Sequence, residues 1–414
     1  MSALAVLLSS FLAAVLLSQS GGLDITGDSS GVGVLLASGG GVLAAAVIAG
    51  SLVAMFARGR VVVATLVAMS AATAGLSAVL LAQSSYEYVA VVAGSILLGC
   101  AAVLSVSLSG VRWQPMFVAG FLVGLLTAGA WDALETDVPE RYTDYLTEAE
   151  RSTPVIVPVL AALTVLIVVG SCRRPFAAVP PAERSGRLLL AVLMIPLCGL
   201  LTHWLFLRQL YDSSGGTNGI YYFGILAVPV LLVAAALMPG RTGAPVLAGT
   251  AVLAATSTSS GIGLDVGSPA WTYGFILGSV IAVAVGVGLG VRWKRPITGI
   301  AVLAVVCVTA LLDRPPLDNI AFAASLAVLP AAAAYVFTAI TPTMASSSTV
   351  GLAVPVAITV PMIVTYGWTA YTPLTEVDTA TFSPTADLWV STGVAVGSVI
   401  LAGIGLGLVL RRPT

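Results

Sequence analysis

Charge is what this sequence has least of: Asp, Glu, Lys and Arg make up 8% of 414 residues, against 58% hydrophobic. A water-soluble chain of this length needs far more charge to hydrate its surface, so most of the outer surface must face lipid. Mean hydropathy, +1.05, says the same. A net charge of −1 leaves no basic face for a nucleic-acid partner. Histidine occurs once, at His203, which cannot build a metal site alone. The four cysteines (Cys100, Cys172, Cys198, Cys307) share no CxxC or Cys/His spacing, so they read as small buried apolar residues rather than a disulfide framework. No cofactor motif is present. Basic residues are also absent before Arg58. The apolar run 3–18 therefore lacks the charged start of a secretory signal and reads as a retained first helix.

What is present is a series of apolar runs long enough to cross a ~30 Å hydrocarbon core, separated by short polar breaks. They predict an all-α integral membrane protein of about fourteen transmembrane helices, near 2–19, 31–55, 61–82, 88–108, 114–131, 153–171, 188–209, 219–238, 244–263, 272–291, 296–312, 319–340, 349–369 and 389–410. The runs are continuous and lack the period-two alternation of a barrel strand. Charge tests the count. With the N-terminus inside, Arg58, Arg60, Arg112, Arg173, Arg174, Arg184, Arg187, Arg241, Arg292, Lys294, Arg295, Arg411 and Arg412 fall in cytoplasmic loops. Only Arg141, Arg151, Arg208 and Arg314 fall outside, the asymmetry that the positive-inside rule requires. Glu183 is the sole acid inside. Both termini are then cytoplasmic, and the preponderance of Arg over the single Lys294 fits a high-GC bacterium and its cytoplasmic membrane. Trp131, Tyr211, Trp271, Trp368 and Trp389 mark one interface, and Trp113 and Trp293 the other.

Two segments echo each other. Residues 94–113 read GSILLGCAAVLSVSLSGVRW and residues 274–293 read GFILGSVIAVAVGVGLGVRW, both ending in GVRW. Gly59-Arg60 and Gly240-Arg241 recur at nearly the same offset. The echo predicts two parallel six-helix pseudo-repeats, residues 1–172 and 188–342, joined by a cytoplasmic linker at 173–187, with an extra C-terminal helix pair at 343–414. A second frame, with the extra pair central and helices nine to fourteen as the second half, stays open.

Six plus six helices around a basic linker resembles the major facilitator superfamily. Residues 50–66, GSLVAMFARGRVVVATL, resemble that family's loop between helices two and three, with Arg58 and Arg60 at its basic end and its Asp absent. Helix four, with Gly94 and Gly99, resembles the family's glycine-rich fourth helix, and 206–241 looks like its seventh-to-eighth helix region. The resemblance implies alternating access, two bundles rocking about a central cavity.

Ion coupling needs a titratable group inside the membrane, yet no charged residue falls near the middle of any predicted helix. The candidates for gating or coupling are Asp132 and Arg208 near outer helix ends, and Arg58, Arg60, Arg112 and Arg292 in inner loops. His203 and Arg208 are five residues apart, about 140° around a helix, so they do not share a face. The candidate cavity lining is His203 with the hydroxyls Ser105, Ser107, Thr256 and Ser257, an apolar lining suited to a lipophilic or amphipathic small molecule. Those hydroxyls equally suit helix–helix packing. A secondary transporter rather than an enzyme is the leading expectation. A transporter-derived scaffold, contacting an envelope protein through the acidic outer loop 132–152, is the alternative. An enzyme acting on lipid-linked sugars would need a catalytic constellation on outer loops, and none is recognisable.

Overall fold

A computed structural model describes residues 2–18, 39–57, 59–81, 83–107, 113–135, 156–171, 186–212, 220–258, 269–312, 317–340, 345–369 and 386–412. These residues form fourteen helices and, among them, no strand. The helices are α1 (Ser2–Ser18), α2 (Gly39–Phe56), α3 (Arg60–Leu80), α4 (Gln83–Ser107), α5 (Gln114–Glu135), α6 (Ile156–Ser171), α7 (Gly186–Asp212), α8 (Ile220–Leu237), α9 (Ala244–Thr256), α10 (Pro269–Arg292) and α11 (Pro296–Thr309). They continue with α12, built from Asp318–Ala323, a π-turn at Ala324–Val328 and Leu329–Ile340, then α13 (Ala345–Thr369) and α14 (Ala386–Leu410). Helices are the form expected in lipid, where each backbone N–H and C=O must be satisfied within its own segment. The predicted all-α membrane class and the count of fourteen hold.

Which helices touch decides how they group. In the first half α1 packs on α4, α5 and α6, α4 packs on α2 and α3, and α3 packs on α6. The same six pairings recur when each number is raised by eight: α9 on α12, α13 and α14, α12 on α10 and α11, and α11 on α14. The second six-helix unit is therefore α9–α14, and the inserted pair is α7–α8. The expected C-terminal pair at 343–414, with a second bundle at 188–342, gives way to the central frame. α13 and α14 cannot be an appendage, because α9 packs between them.

Close backbone approaches carry the pseudo-repeat down to single residues. A Cβ on Gly50 of α2 would collide with the carbonyl oxygen of Ser95 on α4, and one on Gly286 of α10 with that of Ala331 on α12. Both positions shift by 236 residues, 50 to 286 and 95 to 331. Gly120 of α5 likewise sits against Leu7 of α1, and Gly351 of α13 against Pro245 of α9. Between lipid-like side chains there is little hydrophobic gain from association, so helices gain by bringing backbones close, which only small residues permit. α4 and α10 hold different places in their halves, but each enters a joint between second and fourth helices, α4 through Gly99 against Gly50 and α10 through Gly286 and Gly290 against Ala331 and Tyr335.

The halves meet along two seams, α2 with α13 and α5 with α10, and through α4 with α13 and α5 with α12. α7 packs on both α2 and α13, straddling the first seam, with Gly199 against the Ala357 carbonyl. α8 packs on α7, α9 and α14. The second seam has no such cover among the described residues. Below, the near end of the bundle is the end at which α1 begins, and the far end is the opposite one.

Candidate functional site

The near end is shut. The starts of α5, α9 and α13 and the end of α12 converge there, and Gln114, Phe117, Pro245, Phe337, Thr338 and Ser348 surround a gap with room for about one water. Phe117 is fully buried and Gln114 is 3% exposed. The Thr338 hydroxyl is buried without a hydrogen-bond partner. Neighbouring loops are tied down around this plug. The Ser347 hydroxyl donates to the Thr242 carbonyl, and the Arg412 guanidinium donates to the carbonyls of Ala236 (3.2 Å) and Met238 (3.4 Å). The Tyr335 hydroxyl lies 2.9 Å from the Trp293 carbonyl and 3.0 Å from that of Arg295, and its proton is shared between them.

Burial changes along the two fourth-position helices. α4 is buried on nearly every side from Leu97 to Ser105, and α12 from Leu329 to Ala339. Farther out each helix keeps an exposed face. Val92 on α4 is 41% exposed and Val328 on α12, 236 positions later, is 40% exposed. Both helices are thus packed on nearly every side toward the near end and carry an exposed stripe toward the far end.

A second gap lies in the far half, where α5, α10 and α12 meet. Its rim is Leu126, Phe275, Phe322 and Leu326, partly or well exposed, and its floor is Ser279, Leu329 and Pro330, all buried. Ser325 lines it from the π-turn. The turn has a local cause. Pro330 has no N–H to give the carbonyl four residues earlier, and its ring crowds that carbonyl, so the preceding turn widens. Ser279 is 1% exposed, and its hydroxyl has no hydrogen-bond partner.

The residues singled out from sequence do not gather at either gap. Ser105 is buried near the near end of α4 and donates back to the Ala102 carbonyl at 2.7 Å. Thr256 and Ser257, at the far end of α9, donate to Leu253 (2.9 Å) and Ala254 (2.8 Å). Helix direction alone puts Ser105 and these two at opposite ends, so they do not line one cavity. His203 and Arg208 fall on α7, outside both six-helix units, and Asp132 on the last turns of α5. The side chains of these three, and of Ser107 and Arg60, lie outside the described residues, as do Arg58, Arg112 and the loop 136–155. Arg292 is exposed at the end of α10. Among the described residues no group of three or more His, Cys, Asp or Glu is placed to hold a metal. Sequence reasoning missed Thr338, Ser279 and Ser325. Only Pro330, a proline inside an otherwise regular apolar run, signalled that α12 departs from a plain helix.

No family model matches the chain, and no curated protein matches it. Solved structures do. A double tryptophan mutant of XylE aligns over 100% of this chain and 96% of its own, with 12% identity and a TM-score of 0.53. The human organic anion transporter MFSD10 aligns over 98% of each chain, with 15% identity and a TM-score of 0.48. FucP, a major facilitator superfamily transporter in its outward conformation, aligns over 100% of each, with 12% identity and a TM-score of 0.44. The fold is similar to that of the XylE structure, and the run of long apolar helices makes the chain a multi-pass membrane protein.

Proposed function

We propose that the chain is a secondary transporter working by alternating access, carrying a lipophilic or amphipathic small molecule across the cytoplasmic membrane of a bacterium. The observation that carries this is the burial gradient on α4 and α12. Both helices are buried on nearly every side at one end and carry an exposed stripe toward the other, a gradient that fits one state of a rocking pair. The basic residues of the inner loops make the near end cytoplasmic, so this is the state closed to the cytoplasm. With the pair α7–α8 central, the helices that would surround a cavity are α1, α4, α9 and α12. The described linings are mainly apolar with a few neutral polar side chains, and no charged residue lines either of the two gaps. A solute whose recognition needs a fixed charge fits such walls poorly.

The small size of both gaps favours a second reading. A transporter-derived scaffold would have a filled interior, and would use the acidic outer loop 132–152 to hold an envelope partner. The test is protein-dependent movement of neutral and cationic amphipathic dyes in reconstituted vesicles, with and without an imposed proton gradient. Accumulation above passive leak is expected. Leak-level movement of both dye classes under both conditions refutes transport and leaves the scaffold.

A further inference from the structure

We infer that the gap between α5, α10 and α12 is a recognition subsite that takes the uncharged hydroxyl of an amphipathic molecule, with the Ser279 hydroxyl as its partner. The inference rests on the transporter reading for its role but not for its chemistry. A buried hydroxyl without a partner forgoes a hydrogen bond that water would have supplied. Sites that keep such a group tend to have a use for it. Ser279 is one of the residues around the gap, and its hydroxyl is buried beneath it, so a ligand hydroxyl reaches it only by a small shift of the surrounding side chains. The π-turn that Pro330 imposes holds this stretch of α12 out of regular α-geometry and brings Ser325 to the same gap.

Size and chemistry of the gap define the ligand group. It has room for about one water, and therefore for a hydroxyl rather than a sugar or phosphate. None of its eight lining residues is charged, so a carboxylate or ammonium would be desolvated there without compensation. The rim of Leu126, Phe275, Phe322 and Leu326 is apolar and partly exposed, suited to the hydrocarbon that carries the hydroxyl. It also sits beside the α5·α10 seam, which the inserted pair leaves uncovered among the described residues.

A dodecanol carrying a diazirine beside its hydroxyl tests this on the full-length protein in vesicles. Photolabelling is expected to concentrate in peptides containing 275–279 and 322–330, and excess dodecanol is expected to suppress it while dodecane does not. Ser279→Ala should lower labelling there by about tenfold, the worth of one hydrogen bond, and Ser279→Thr should retain it. Ser279→Ala should not lower the melting temperature, because the hydroxyl has no partner to lose. Labelling spread evenly over exposed helices such as α3, or unchanged by Ser279→Ala, overturns the subsite. Vesicle transport is scored separately. Site-specific labelling without transport keeps the subsite and removes the transporter reading, whereas transport without site-specific labelling removes the subsite alone.

Discussion

Tyr335 shows how one polar atom organises a stretch of chain in an apolar protein. Its ring is buried on α12, while its hydroxyl holds two carbonyls of the turn between α10 and α11, which also carries the exposed Arg292, Lys294 and Arg295. Tyr335→Phe leaves those carbonyls without that donor and is expected to cost about 0.5–1.5 kcal/mol. It should appear as a lower melting temperature in detergent and faster tryptic cleavage at Lys294 and Arg295. The residue scale was the least legible from sequence. Ser105, Thr256 and Ser257 stood out as hydroxyls in apolar runs, yet each hydroxyl satisfies itself on the carbonyl three residues back. Composition cannot tell such a hydroxyl from one like Ser279, because the difference lies in what the neighbouring helix presents.

At the scale of the helix pair, glycine position sets how close two backbones come. Gly286 and Gly288 differ by two residues on α10, yet a Cβ on the first collides with the Ala331 carbonyl while one on the second meets nothing within 4 Å. Gly286→Leu should separate α10 from α12 at an overpacking cost of about 1–3 kcal/mol, and Gly288→Leu should be close to neutral. Thermal unfolding of the two variants in the same detergent checks the contrast. Gly50→Leu on α2 should resemble Gly286→Leu, since it occupies the same joint in the other half. The GVRW echo was legible and its offset of 180 was misleading. Over their described residues both segments enter close joints, and the repeat shift of 236 pairs positions of different residue type, such as Ser95 with Ala331. Chemical identity is weakly constrained at such a joint, while size is strongly constrained.

At the scale of the molecule, charge scarcity and the one-sided spread of Arg pointed to membrane class and helix number without reference to packing. They could not group the helices, because an inserted pair preserves the sidedness of everything after it, wherever it sits. Contacts group them, and the result places α7 across the α2·α13 seam, where it touches both halves. If the halves rock as proposed, that motion must carry α7 along or slide it. Gly199→Leu, opposite the Ala357 carbonyl, should obstruct that contact and slow dye movement more than it lowers melting temperature. A proportionate fall in both would assign the contact to stability alone.

The central claim is that α1–α6 and α9–α14 are halves that part and close at the near end to move a solute. Val118 on α5 and Leu352 on α13 line the near-end gap from opposite halves. The direct measurement is dye movement in vesicles containing Val118→Cys/Leu352→Cys, with the four native cysteines replaced, before and after oxidation and again after reduction. The account predicts that the disulfide stops dye movement and that reductant restores it. Unchanged movement with the cross-link demonstrated on the same protein would contradict it.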